Sequence, residues 1–112
     1  MTLGITVAMT DSEFSECLEE LFQQIEEVFD EQDTDVDAEN SGGILTIEFE
    51  NGSTIVLSRQ IATHQLWMAA RSGGYHFEFT NNQWQCTRTD RPFFRALTEE
   101  CLQQAGVAIA FI

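Results

Sequence analysis

The stretch Asp30-Glu31-Gln32-Asp33-Thr34-Asp35-Val36-Asp37-Ala38-Glu39 carries six carboxylates in ten residues. Such a density of hard oxygen donors suits di- and trivalent cations. Asp33-x-Asp35-x-Asp37 imitates the first half of an EF-hand loop. Ala38, however, stands where that loop turns on glycine, and Ile44 stands where its closing glutamate belongs, so the motif is excluded. With Glu16, Glu20 and Glu27 upstream, the run makes one anionic ridge. An open ridge of this kind binds ions weakly and at several points, through carboxylate pairs and water. A merely solubilising face is the competing reading, but it explains neither the absence of lysine nor the accumulated like-charge repulsion.

Other chemistries find little support. His64 and His76 lack metal-site spacing. The three cysteines, Cys17, Cys86 and Cys101, form an odd set without a CxxC pair. Nothing resembles a nucleophile with its base, a glycine-rich phosphate loop, or a carboxylate pair with split pKa values. The expectation is a protein that is not an enzyme. The second informative residue is Trp67, with Gln60 and Gln65 nearby. A tryptophan turned outward among polar neighbours suits a partner contact.

The elements that must position these residues can be read from spacing. Thr10 and Glu13 form a capping box, with Met9 and Phe14 placed as its staple. Phe14, Leu18, Leu21, Phe22, Ile25 and Phe29 then recur on one helical face, opposite the acidic one. Asp35 to Glu39 alternates as a short strand with Val36 and Ala38 inward and three carboxylates outward. Ile44–Glu50 and Ser53–Ser58 form a hairpin around Asn51-Gly52. A bulged three-residue loop aligns Leu45 and Ile47 with Ile55 and Leu57, and is preferred because it gathers the aliphatics on one face. Gln65–Ala70, the segment alternating from Tyr75 to Phe79, and Trp84 with Cys86 give further strands. Asp90 or Thr89 is expected to cap a second helix with Pro92 in its first turn and Gly106 at its end. The apolar tail should tuck against the helices. The fold class is α+β, a two-layer sandwich with two helices on one face of an antiparallel sheet of about six strands.

The 112 residues hold 19 acids and 5 arginines, a formal charge of −14. Fifteen acids and no base fall between Met1 and Ser58; four acids and all five arginines follow. That field disfavours nucleic acid and anionic membrane surfaces. The expected organisation is a short leader over residues 1–9, disordered or not the native start, and one domain over 10–112. Cysteine usage, and no signal-like or spanning segment, point to the cytoplasm.

Asp11-Ser12-Glu13-Phe14, Gly42-Gly43-Ile44-Leu45-Thr46-Ile47 and Phe49-Glu50-Asn51-Gly52-Ser53 resemble the bacterial frataxins, the CyaY family. So do Arg59-Gln60, His64-Gln65-Leu66-Trp67 and Gly73-Gly74-Tyr75-His76-Phe77. The resemblance runs from about residue 10 to the end. It implies the frataxin-like sandwich and an iron-binding role in iron–sulfur cluster assembly, with docking on the cysteine desulfurase. It also implies that the protein modulates cluster formation or supplies iron. Carried over by position, the metal candidates are Asp11, Glu27, Asp30, Glu31, Asp33, Asp35, Asp37 and Glu39. The partner-binding candidates are Glu16, Glu20, Gln60, Gln65 and Trp67. Ser15 stands where bacterial members often have histidine, Ser58 where asparagine is usual and Ala62 where proline is usual. The ligand that the resemblance implies is iron, Fe2+ or Fe3+, held weakly on surface carboxylates, with other divalent cations admitted. The implied partners are the desulfurase and the scaffold protein, and the expected state is a monomer with metal-dependent oligomers open to it. The alternative is an acidic interaction protein that mimics an anion and has no iron role.

Overall fold

The computed structural model describes residues 9–32 and 35–111, so the expected leader, Met9 apart, lies outside the described residues. Helix α1 (Asp11–Glu31) starts as the sequence dictates. Thr10 Oγ1 accepts the Glu13 N–H at 3.1 Å and Glu13 Oε1 accepts the Thr10 N–H at 2.9 Å, closing the capping box. The Thr10 backbone and then its hydroxyl hold the Glu13 carboxyl below the usual range. Met9, just outside the cap, packs against the core. Phe14, Leu18, Leu21, Phe22, Ile25 and Phe29 are all buried, as their 3.6-residue period requires.

Strands β1 (Asp37–Ser41), β2 (Ile44–Glu48), β3 (Thr54–Gln60), β4 (Gln65–Ala70), β5 (Gly73–Thr80) and β6 (Gln83–Cys86) form one antiparallel sheet in sequence order. The first turn, Gly42-Gly43, has φ of +59° and +81°, the left-handed pair that a two-residue hairpin needs. The next hairpin takes the bulged loop: Leu45 faces Leu57 and Ile47 faces Ile55. The Phe49 N–H bonds the Ser53 carbonyl at 2.9 Å, with Gly52 at φ +86°. Strand β1 begins two residues later than its alternation suggested, because Asp35 sits in a bend before the ladder starts. A 3-10 turn, Ile61–Thr63, links β3 to β4 and ends on His64 with φ +51°.

Helix α2 (Phe93–Ala105) departs from expectation at its start. Neither Thr89 nor Asp90 caps it; Pro92 occupies the cap position with no side-chain bond. The cause is pairing distant from the helix. Pro92 bridges Gln85, the Cys86 N–H bonds the Arg91 carbonyl and the Asp90 N–H bonds the Cys86 carbonyl. Residues 90–92 therefore belong to the sheet's end. Gly106 closes α2 in the left-handed conformation, as expected.

Both helices cover the face bearing Leu45, Ile47, Ile55, Leu57, Leu66, Met68 and Phe77, all fully buried. The tail tucks in as predicted: Phe111 packs on Phe29 and Phe94, and the Gln32 amide bonds the Ala110 backbone both ways.

Gln104 is one of two buried polar residues in the described core, with Glu100. Its Oε1 accepts the Arg71 N–H at 2.9 Å, and its Nε2 donates to the Thr54 carbonyl at 2.8 Å and to Ser53 Oγ at 3.1 Å. One side chain thus joins α2 to two turns of the sheet. Gln104→Leu leaves those backbone groups unpaired and is expected to cost about 1–3 kcal/mol, read as a lower urea midpoint with unchanged slope.

Candidate functional site

The α1 candidates Glu16, Glu20, Glu27, Asp30 and Glu31 are all exposed, but they do not share one direction. Glu19 Oε1 accepts the Asn40 Nδ2–H of β1 at 2.9 Å, so that flank of the helix faces the edge strand. By helical period Glu26 and Asp30 follow on the same flank. Glu20 lies on the other side, lining a groove with Cys17, Gln24, Trp84 and Phe93. Glu16 and Glu27 form the crest between them.

Asp37 and Glu39 continue the acidic band around the edge rather than along the helix. Asp37 pairs with Glu48 and Glu39 with Thr46. These side chains turn to the sheet face that neither α1 nor α2 covers, while half-buried Ala38 and Asn40 turn to the core side. Asp35, Asp37, Glu48 and Glu50 line one shallow depression, and Asp37, Glu39 and Glu48 a second. Like charges directly opposite on neighbouring strands are destabilising, so a cation or basic group beside Asp37 and Glu48 would relieve their repulsion. They also blunt the exposed edge against pairing with another chain. Glu19 and Glu26, on the acidic helical face, and Glu48 and Glu50 extend the band beyond the candidates named from the sequence. Glu48 sits alone in a hydrophobic strand, and only the β1–β2 register brings it opposite Asp37.

Asp11 is separated from this band. It opens α1, about 28 Å along the helix axis from Asp30, and its Oδ1 lies 2.7 Å from His64 Nε2. His64 in turn stacks on Phe14 with centroids 5.0 Å apart. Asp33 lies outside the described residues. Among the described residues no three histidine, cysteine, aspartate or glutamate side chains converge to hold an ion. The carboxylates present suit a hard cation in donor type, and the surface offers pairs rather than a cage.

The cysteines add no ligand to the band. Burial, and then the Glu100 carboxylate, push the Cys101 thiol up to about 12, so it stays protonated at neutral pH. Partial burial, followed by Glu20, Glu13 and Glu16, raises Cys17. Burial acts to raise Cys86 as well, but hydrogen bonds from Thr89 and the Arg88 backbone, with the Arg91 charge, outweigh it and lower the thiol. That residue lies in the core, away from the acids.

Gln60, Gln65 and Trp67 come together on the open sheet face. Gln60 pairs with Gln65, and Trp67 lies between Ser58 and His76. Trp67 faces outward by strand parity, yet it is half-buried because its ring packs on His76, centroids 4.6 Å apart at 48°. The described arginine ion pairs lie elsewhere, Arg91 and Arg95 both engaging Glu99.

Comparison with known proteins bears on this arrangement. The frataxin-like domain matches residues 7–107. The iron-sulfur cluster assembly protein CyaY of Photobacterium profundum is 44% identical over 101 residues, 90% of this chain and 96% of that protein. A solved frataxin from Psychromonas ingrahamii superposes with a TM-score of 0.88 at 35% identity, covering 93% of this chain and 99% of that one. Trimeric frataxin from the yeast Saccharomyces cerevisiae, complexed with ferrous iron, superposes with a TM-score of 0.67 at 27% identity, covering 94% of each chain. A domain match across nearly the whole chain, joined to the observed two helices on a six-stranded antiparallel sheet, establishes that this chain belongs to the bacterial frataxin (CyaY) family.

Proposed function

We propose that this chain is a non-enzymatic, iron-binding protein of iron–sulfur cluster assembly that docks on the cysteine desulfurase and modulates cluster formation or supplies iron. The observation that carries the proposal is the acidic band that turns from α1 around β1 onto the open sheet face. Iron is cargo here. Glu27, Asp30, Glu31, Asp35, Asp37 and Glu39, with Asp33 in the same run, would hold Fe2+ or Fe3+ through carboxylate pairs and water, weakly and at more than one point. Asp11, paired with His64 at the far end of α1, would form a separate minor contact. Other divalent cations fit the same oxygen donors.

The same carboxylates, with Glu16 and Glu20 on the crest and flank, suit a basic surface on the desulfurase. Iron and desulfurase would then compete for them. Gln60, Gln65 and Trp67 offer the second contact, toward the scaffold protein. The working state is a cytoplasmic monomer, with metal-dependent oligomers in reach. Among the described residues no helix is long and apolar enough to cross a membrane.

The test is cluster assembly with desulfurase and scaffold, with and without this protein, across a range of iron concentrations. An assembly rate indifferent to the protein at every iron level overturns the proposal. A companion titration follows amide shifts and melting temperature on adding iron. Shifts are expected to concentrate in residues 27–39 and at Glu48. The melting temperature should rise, because neutralised carboxylates stop repelling one another and ligand binds the folded state. Unchanged melting at saturating ferrous and ferric ion would remove the ridge as the binding site.

A further inference from the structure

Trp67 has the largest side chain on the open sheet face, yet it does not stand away from it. Its cross-strand partner is His76, and Gly74 lies diagonally across, opposite Ala69. A Cβ built on Gly74 would fall 1.9 Å from Trp67 Cη2, 2.4 Å from Cζ2 and 2.8 Å from Cζ3. The tip of the indole therefore rests on the Gly74 backbone. His76 flanks the ring, and its Nδ1 is buried and, among the described residues, without a hydrogen-bond partner.

The two neighbouring glycines differ in kind. Gly73, at φ +150°, occupies a conformation that favours glycine; Gly74 has no positive φ, and any residue could adopt its backbone. The three atoms nearest a Cβ at Gly74 all belong to Trp67. Glycine inside a strand weakens it and often marks a close approach by another group. Here that group is the indole.

We propose that Gly74 is a positioning residue, which by lacking a side chain lays Trp67 across the sheet as a flat platform, and that this posture is the one a protein partner meets. The inference rests on the docking role given above to the Trp67 face. A tryptophan standing upright needs a pocket in its partner, whereas one lying down needs a flat surface. The charged strand residues turned to this face are Asp37, Glu39, Glu48 and Glu78, with no arginine among them. The surface that fits is flat and basic, and a cation seated on the ring gains from its quadrupole.

The test joins a stability cycle to a binding measurement on the full chain. Gly74→Val should lower the melting temperature in the wild-type background and cost nothing when combined with Trp67→Ala, where the ring that it meets is gone. A penalty equal in both backgrounds overturns the proposal. So does a double variant that fails to fold. Binding to the purified desulfurase–scaffold complex should weaken at least tenfold for Trp67→Ala and comparably for Gly74→Ala, whose near-UV circular dichroism should show a displaced indole. Should Trp67→Ala bind like wild type, the docking role of this face falls. Should Trp67→Ala lose binding while Gly74→Ala, with its indole displaced, retains it, docking stands and the positioning role of Gly74 falls.

Discussion

Reversing the charge at Asp30, Glu31 and Asp35 to lysine is expected to separate function from stability. Desulfurase binding should fall by roughly 100- to 1,000-fold. Each reversal removes an attraction worth up to about 1 kcal/mol and installs a repulsion of similar size against a basic partner. All three side chains are exposed, so the fold does not depend on them. The melting temperature should rise instead. Glu26–Asp30 and Glu27–Glu31 are like-charged i,i+4 pairs, each costing about 0.2–0.5 kcal/mol, and lysine at the end of α1 suits the helix dipole. Isothermal titration and differential scanning calorimetry on one preparation check both halves. Retained affinity would refute docking through this part of the ridge.

The largest effect on stability is expected at Phe14. It is fully buried, stacks on His64 and meets Trp84 edge-on with centroids 5.9 Å apart. Phe14→Ala removes the ring that joins the start of α1 to the turn before β4 and to β6, leaving a cavity between rigid neighbours. The cost should be about 3–5 kcal/mol, a large share of the roughly 5–15 kcal/mol holding a domain of this size. Urea unfolding followed by circular dichroism measures it. Phe94→Ala, at a half-buried position, should cost distinctly less. Equal losses would mean that Phe14 does not carry the contact described.

What the residue pattern disclosed and what it hid follow from the range of the forces involved. The capping box of α1 and the bulged β2–β3 hairpin are set by neighbours within a few residues, and both form as read. The start of α2 was misplaced because Pro92 pairs with Gln85 and the Cys86 backbone pairs with residues 90 and 91. Those pairings outweigh a local capping preference worth about 1 kcal/mol. The acidic run was plain, but its division was not. Alternation alone placed Asp37 and Glu39 outward without showing that outward meant the open sheet face, or that Glu48 would stand opposite. Asp11 joined the candidates by position in the chain, and the length of α1 removes it from the rest. The space that Gly74 leaves for Trp67 depends on the β4–β5 register, which the residue types alone do not give.

The strand order has a consequence for how the chain folds. Every strand pairs with its immediate sequence neighbour, so the sheet can form by successive short loop closures, each carrying a small entropic penalty. The layer that covers it is different, since it is made by the first and last helices. A sheet that has paired before the helices dock therefore leaves its apolar face half uncovered until α2 closes over it. Phe77, which packs edge-on against Phe93, stays uncovered until that helix docks, so completion of the core awaits the closure that brings the two ends of the domain together.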